Sequence, residues 1–117
     1  MWTDTLSIAE CMEVLAAQHL ARLACAKDGR PYVVPIYYAY ADKSLYAFSL
    51  PGKKIEWMRA NPLVSALVES LEQGGYWRSV IAFGRYEELP EKSAINVSGI
   101  MRGRCSANMR IGGSLAP

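Results

Sequence analysis

Apolar residues recur at helical spacing near the start of the chain, then gather into short runs separated by turn residues. Ile8, Cys11, Met12 and Leu15 mark one face of a helix. Ser7 and Glu10 stand before them as a capping box, so the pattern predicts a helix over residues 7–18. Leu20 to Ala26 is short and apolar with Arg22 inside it, and reads as a strand. Lys27-Asp28-Gly29-Arg30 carries the Asp-Gly signal of a tight hairpin. Pro31 to Tyr40, rich in Val, Ile and Tyr, is the expected return strand. Pro35 interrupts it. Proline cannot donate to a sheet ladder, so this strand is expected at an edge or bulged there.

A second turn is expected at Ala41-Asp42-Lys43-Ser44 and a third strand over Leu45 to Ser49. Leu50-Pro51-Gly52 breaks it. Lys53 to Ala60 is predicted as a short helix with Ile55 and Met58 inward, ended by Asn61-Pro62. Leu63 to Ser70 and Trp77 to Leu89 are the fourth and fifth strands, with a loop at Gln73-Gly74-Gly75. In the last strand Val80, Ala82 and Gly84 alternate against Ser79, Ile81 and Phe83. A helix followed by strands on tight turns implies an antiparallel barrel with helices outside it. There is no βαβ rhythm and no GxGxxG fingerprint.

From Glu91 onward the character changes. All twelve aromatic residues lie at or before Tyr86. The remainder is Gly, Ser, Ala, Arg and Met without a sustained period, and is expected to be a loosely ordered extension of residues 91–117 behind a domain of residues 1–90. Charge is divided in the same place. Residues 1–90 carry nine Lys/Arg against ten Asp/Glu, and residues 91–117 carry four against one. The net charge of +2 therefore reflects the tail and makes no case for nucleic acid.

One domain fits 117 residues. No apolar run approaches the roughly 20 residues of a membrane span, and the start lacks the pattern of a signal peptide. The expectation is a cytoplasmic protein without a membrane partner. Cys11, Cys25 and Cys105 match no zinc or redox spacing; Cys11 and Cys25 read as small core residues.

The strongest local chemistry is a strand leading to Ser49, then Pro51-Gly52, then Lys53-Lys54 opening a helix. A helix start carries unpaired N–H groups and partial positive charge, so lysines there make sense around an anion such as phosphate. A solvated turn with surface lysines is the plainer alternative. Tyr32, Tyr37, Tyr38, Tyr40, Tyr46, Phe48, Trp57 and Trp77 could wall a planar ligand or simply fill strands. Trp77-Arg78-Ser79 at a strand start could reach a ligand or a partner chain, or lie in solvent. His19 is the one histidine, so a histidine-rich metal site is excluded. No Ser or Cys sits in a motif for an activated nucleophile. Catalysis, if any, would come from a bound cofactor.

Taken together, Arg22 to Cys25, Asp28 to Tyr38, Phe48 to Pro62, Trp77 to Val80 and Gly84 to Leu89 resemble the pyridoxamine 5′-phosphate oxidase-like proteins that bind flavin mononucleotide (FMN), closest to the nitroimidazole-resistance-type branch. The match covers roughly residues 6–90. It implies a mainly β fold with flanking helices, an antiparallel split β-barrel that forms a homodimer with FMN at the interface. By this resemblance Pro35, Ile36, Tyr37 and Tyr38 face the flavin ring through the backbone, and Phe48 and Ser49 continue that wall. Lys53 and Lys54 hold the phosphate. Trp77, Arg78 and Ser79 approach from the partner subunit. Such proteins normally continue past Glu87-Glu88-Leu89 with a helix and a further barrel strand. Residues 91–117 do not resemble that continuation, so an atypical or truncated C-terminal part, with its final strand missing, is expected.

The functional expectation is an FMN-dependent oxidoreductase acting on an unidentified small molecule. The alternatives are a non-catalytic flavin-binding module and a degenerate barrel that no longer binds flavin. Little in the sequence supports pyridoxamine phosphate as substrate.

Overall fold

The structure, a computed structural model, describes residues 2–47, 53–71, 77–89 and 93–107. The elements in order are β1 (Trp2–Thr5), α1 (Ile8–Ala17), β2 (Leu20–Lys27), β3 (Arg30–Tyr37), β4 (Ala39–Ala41), β5 (Ser44–Ala47), α2 (Lys53–Ala60), β6 (Leu63–Leu71), β7 (Trp77–Glu88) and β8 (Ser93–Ala107). All strand pairs are antiparallel, in the order β3-β2-β6-β7-β8-β5-β4, with β1 added along the far end of β8. The two ends of this order, β3 and β4, are neighbours in sequence. This is the split barrel the sequence predicts.

Local chemistry explains most of the boundaries. Ser7 caps α1: its hydroxyl accepts from the Glu10 N–H at 3.1 Å, and Glu10 Oε1 accepts from the Ser7 N–H at 2.9 Å. Burial selects Cys11, Val14 and Leu15. The β2–β3 hairpin turns at Asp28 (φ 51°) and Gly29 (φ 77°), the left-handed pair that matches strand twist. Asp42 (φ 49°) and Lys43 (φ 59°) turn β4 into β5 in the same way. α2 buries Ile55 and Met58, as expected from its spacing. Arg59 of α2 forms an exposed ion pair with Glu88 of β7. Among the described residues, no helix is long and apolar enough to cross a membrane.

Two expectations about strands are corrected. The loosely ordered tail without a strand is wrong over residues 93–107. That segment is β8, the longest strand among the described residues, paired to β7 along one side and to β5 and β1 along the other. Its register against β7 shifts twice, between Ser79 and Ile81 and between Phe83 and Gly84. The extra β8 residues at those bulges break its alternation, and backbone pairing on both sides replaces the missing aromatic and β-branched propensity. The expected strand Pro31 to Tyr40 divides into β3 and β4 at Tyr38. β1 has no counterpart among the expected strands, because four residues carry no readable period.

Pro35 sits on an edge strand and not at a bulge: β3 pairs with β2 without a register shift. The core lies on the inner face of the sheet beneath α1 and α2. It includes Leu15, Leu23, Leu45, Met58, Val68 and Val80, each 2% exposed or less. Cys11 and Cys25 belong to it, as expected.

Candidate functional site

The free edge of β3 is the first component. Tyr38 N–H donates to the His19 carbonyl at 2.9 Å. This sets the phase of the antiparallel ladder, in which paired and outward-pointing residues alternate. Tyr32, Val34 and Ile36 therefore bond toward β2, whereas Pro31, Val33, Pro35 and Tyr37 turn their backbone groups to the edge. Both prolines fall where no ladder bond is lost. The edge is left with carbonyls along its length and N–H groups at Val33 and Tyr37. No described strand lies beyond it.

Side chains alternate across the same strand. Ile36 (8% exposed) and Tyr38 (5%) point into the core, while Pro35 and Tyr37 (79%) point outward. Tyr38 donates its hydroxyl to the Leu15 carbonyl at 2.7 Å within the core. Burial pushes its pKa up to about 12. A phenol raised from 10 to about 12 keeps its full contribution to stability below pH 10 and loses it as pH climbs through 12. Stability should thus fall between pH 10 and 12 more steeply in the native protein than in a Tyr38→Phe variant. Urea midpoints measured across that range check this.

The second component is the start of α2. Lys53 and Lys54 open the helix, as the sequence predicts. Phe48 and Ser49, with Pro51 and Gly52, lie outside the described residues. α2 is seated against β2 and β3 by the tilted Tyr32–Trp57 ring contact, centroids 5.2 Å apart, and by Asn61 Nδ2 donating to the Ala26 carbonyl at 3.1 Å. These contacts hold the second half of α2 against the hairpin end of β2 and β3.

The third component, Trp77-Arg78-Ser79, is divided by strand alternation. Trp77 and Ser79 share the outward face with Ile81 and Phe83; Arg78 shares the inward face with Val80 and Ala82. Arg78 turns toward α1. Glu10's carboxyl is held below its usual range, first by the Ser7 N–H, then by the Ser7 hydroxyl, with a smaller attraction from Arg78.

In register, Pro35 stands beside Arg22, Arg22 beside Leu67, and Leu67 beside Ile81. Three strand spacings separate the β3 edge from β7, about 14 Å. Within one chain β2 and β6 thus lie between Pro35–Tyr38 and Trp77–Ser79.

Sequence reasoning missed the outward face itself. Val33 (60%), Leu63 (65%), Leu71 (58%) and Phe83 (42%) are exposed on it, interrupted by the Arg22–Glu69 ion pair at 3.4 Å. A shallow groove of about 480 Å³ runs over Ala24, Ala26 and Ser65 between Leu63 and Phe83. The signal available was in β6, where Leu63, Leu67 and Leu71 fall on the face opposite Val64, Ala66 and Val68, so both faces carry apolar residues.

A profile of the pyridoxamine 5′-phosphate oxidase family matches residues 7–110. The chain belongs to this family. The match runs through β8, consistent with that strand being part of the domain. An uncharacterized protein of Rhizobium meliloti is 50% identical over 90 residues, which are 77% of this chain and 60% of that protein; the chain thus spans less than two thirds of the relative's length. A crystal structure of a FAD-binding protein from Mesorhizobium loti superposes with a TM-score of 0.88 at 45% identity, covering 92% of this chain and all of the other. At 16% identity, a candidate 5-nitroimidazole antibiotic resistance protein of Bacteroides thetaiotaomicron shares the fold, with a TM-score of 0.78 over 89% of this chain and 87% of that one.

Proposed function

We propose that this family member binds FMN and acts as a flavin-dependent oxidoreductase on a small molecule, as a cytoplasmic homodimer. The observation that carries the reading is the free β3 edge at Pro35 and Tyr37. A flavin ring presents carbonyl, N–H and carbonyl along its pyrimidine edge. The outward Pro35 carbonyl can accept from that N–H, and the outward Tyr37 N–H can donate to one flanking flavin carbonyl. Lys53 and Lys54 at the helix start suit the phosphate. Phe48 and Ser49 would lie on the chain between these two anchors. The flavin would supply the redox chemistry; the protein would hold and orient it.

The dimer follows from the outward face. Four strands of about eight residues cover roughly 500 Å² of sheet, near the scale of about 800 Å² of accessible surface that each partner buries in a stable complex. Two copies packed through it would bring Trp77 and Ser79 of one chain toward the β3 edge of the other. Arg78, turned inward, would act within its own chain.

A second reading places FAD in the site, favoured by the Mesorhizobium relative at 45% identity. One titration separates the readings. Purified protein should carry a yellow chromophore or take up one FMN per chain, with FMN at least tenfold tighter than FAD. The reverse order would establish FAD. A colourless protein that quenches neither flavin's fluorescence would remove both. Reduction of the bound flavin by NADH or NADPH, with turnover of an added acceptor, distinguishes an enzyme from a carrier.

A further inference from the structure

We infer that Tyr38 is a positioning residue for the flavin edge: its buried hydroxyl ties the end of α1 to the junction of the two sheet edges. The inference rests on the flavin site proposed above.

The helix end supplies the reason. The last four carbonyls of a helix lack intrahelical partners. In α1, which ends at Ala17, the Gln18 N–H takes the Val14 carbonyl at 3.1 Å. The next carbonyl, that of Leu15, lies in the core, where water cannot reach it. Tyr38, 23 residues further along, supplies the missing donor at 2.7 Å. Its own N–H bonds to the His19 carbonyl, just past the helix. One residue thus grips the helix terminus with its side chain and the residue just ahead of β2 with its backbone.

Tyr38 also occupies the point where β3 ends and β4 begins. Its neighbour Tyr37 is 79% exposed and has no such hold on the core. The carbonyls and N–H of Pro35 and Tyr37 are therefore held in place from one side by β2 and at their end by Tyr38. Removing the hydroxyl leaves the ring volume in place and strands the Leu15 carbonyl, a buried acceptor that is costly to leave unpaired. The relief is for the junction to shift, carrying the edge groups with it.

The test compares Y38F with V80A, a core truncation on β7 remote from the junction. FMN is titrated into each apoprotein by fluorescence quenching, and amide hydrogen exchange is followed without flavin. Y38F should weaken FMN about tenfold, a shift of about 1.4 kcal/mol, and blur the vibrational shoulders of the bound flavin's long-wavelength band. Exchange should accelerate at positions 37–39. V80A should lower stability yet change FMN affinity less than twofold. Wild-type affinity in Y38F, or an equal loss in V80A, would overturn the inference. Failure of the unaltered protein to bind either flavin would instead remove the site reading and this inference with it.

Discussion

A chain carrying Leu63→Asp and Phe83→Asp should sediment as a monomer and lose flavin. Both side chains stand on the outward face, 65% and 42% exposed, on adjacent strands β6 and β7. Neither contributes to the core, so the fold of the single chain should survive with an unchanged far-ultraviolet spectrum. In a dimer packed through this face, each partner would bury two unpaired carboxylates. An uncompensated buried charge costs several kcal/mol, so dissociation should be favoured by more than about 10³-fold. Loss of flavin should accompany loss of the dimer, because β2 and β6 separate Trp77 and Ser79 from the β3 edge within one chain, three strand spacings or at least about 14 Å. Analytical ultracentrifugation and flavin titration on the same sample read both effects. A variant that stays dimeric excludes this face as the interface. A monomer that keeps native flavin affinity shows the site to be complete within one chain.

Replacing Lys53 and Lys54 together by Ala should reduce FMN affinity on the order of 10²- to 10⁴-fold, from two charge-assisted bonds of about 1.5–3 kcal/mol each. The substitution also separates parts of the ligand. If the lysines serve the phosphate, riboflavin, which lacks it, should bind the variant and the native protein equally. Unchanged FMN affinity would refute the phosphate role, and an equal loss for riboflavin would show general damage to α2. Alanine is the best helix former, and the buried anchors of this helix are Ile55 and Met58, so α2 should stay folded.

The two experiments address different parts of the same arrangement. The lysine variant acts within a chain; the aspartate pair acts between chains.

Much of the fold is legible in the amino-acid sequence. The capping box at Ser7 and Glu10, the Asp28-Gly29 hairpin and the Lys53–Ala60 helix are local, and local rules capture them. Pro35 announces an edge strand or a bulge because its missing N–H is a local chemical fact, and the structure shows the edge. Cys11 and Cys25 fall in the core, where free cysteines ordinarily lie. The tertiary structure decided the rest. β8 is a strand because β7, β5 and β1 present backbone partners to it, and pairing between segments distant in sequence leaves no period inside Ser93–Ala107. Tyr37 and Tyr38 are adjacent in sequence, yet one is exposed and the other bonds to a helix end 23 residues away. Strand alternation alone parts Arg78 from Trp77 and Ser79, but only packing makes Arg78's face the inward one. Residue order alone dictates most of the elements and the chemistry available at the β3 edge and the start of α2. The fold dictates which of those groups share a face, because facing and long-range pairing arise only when distant strands meet.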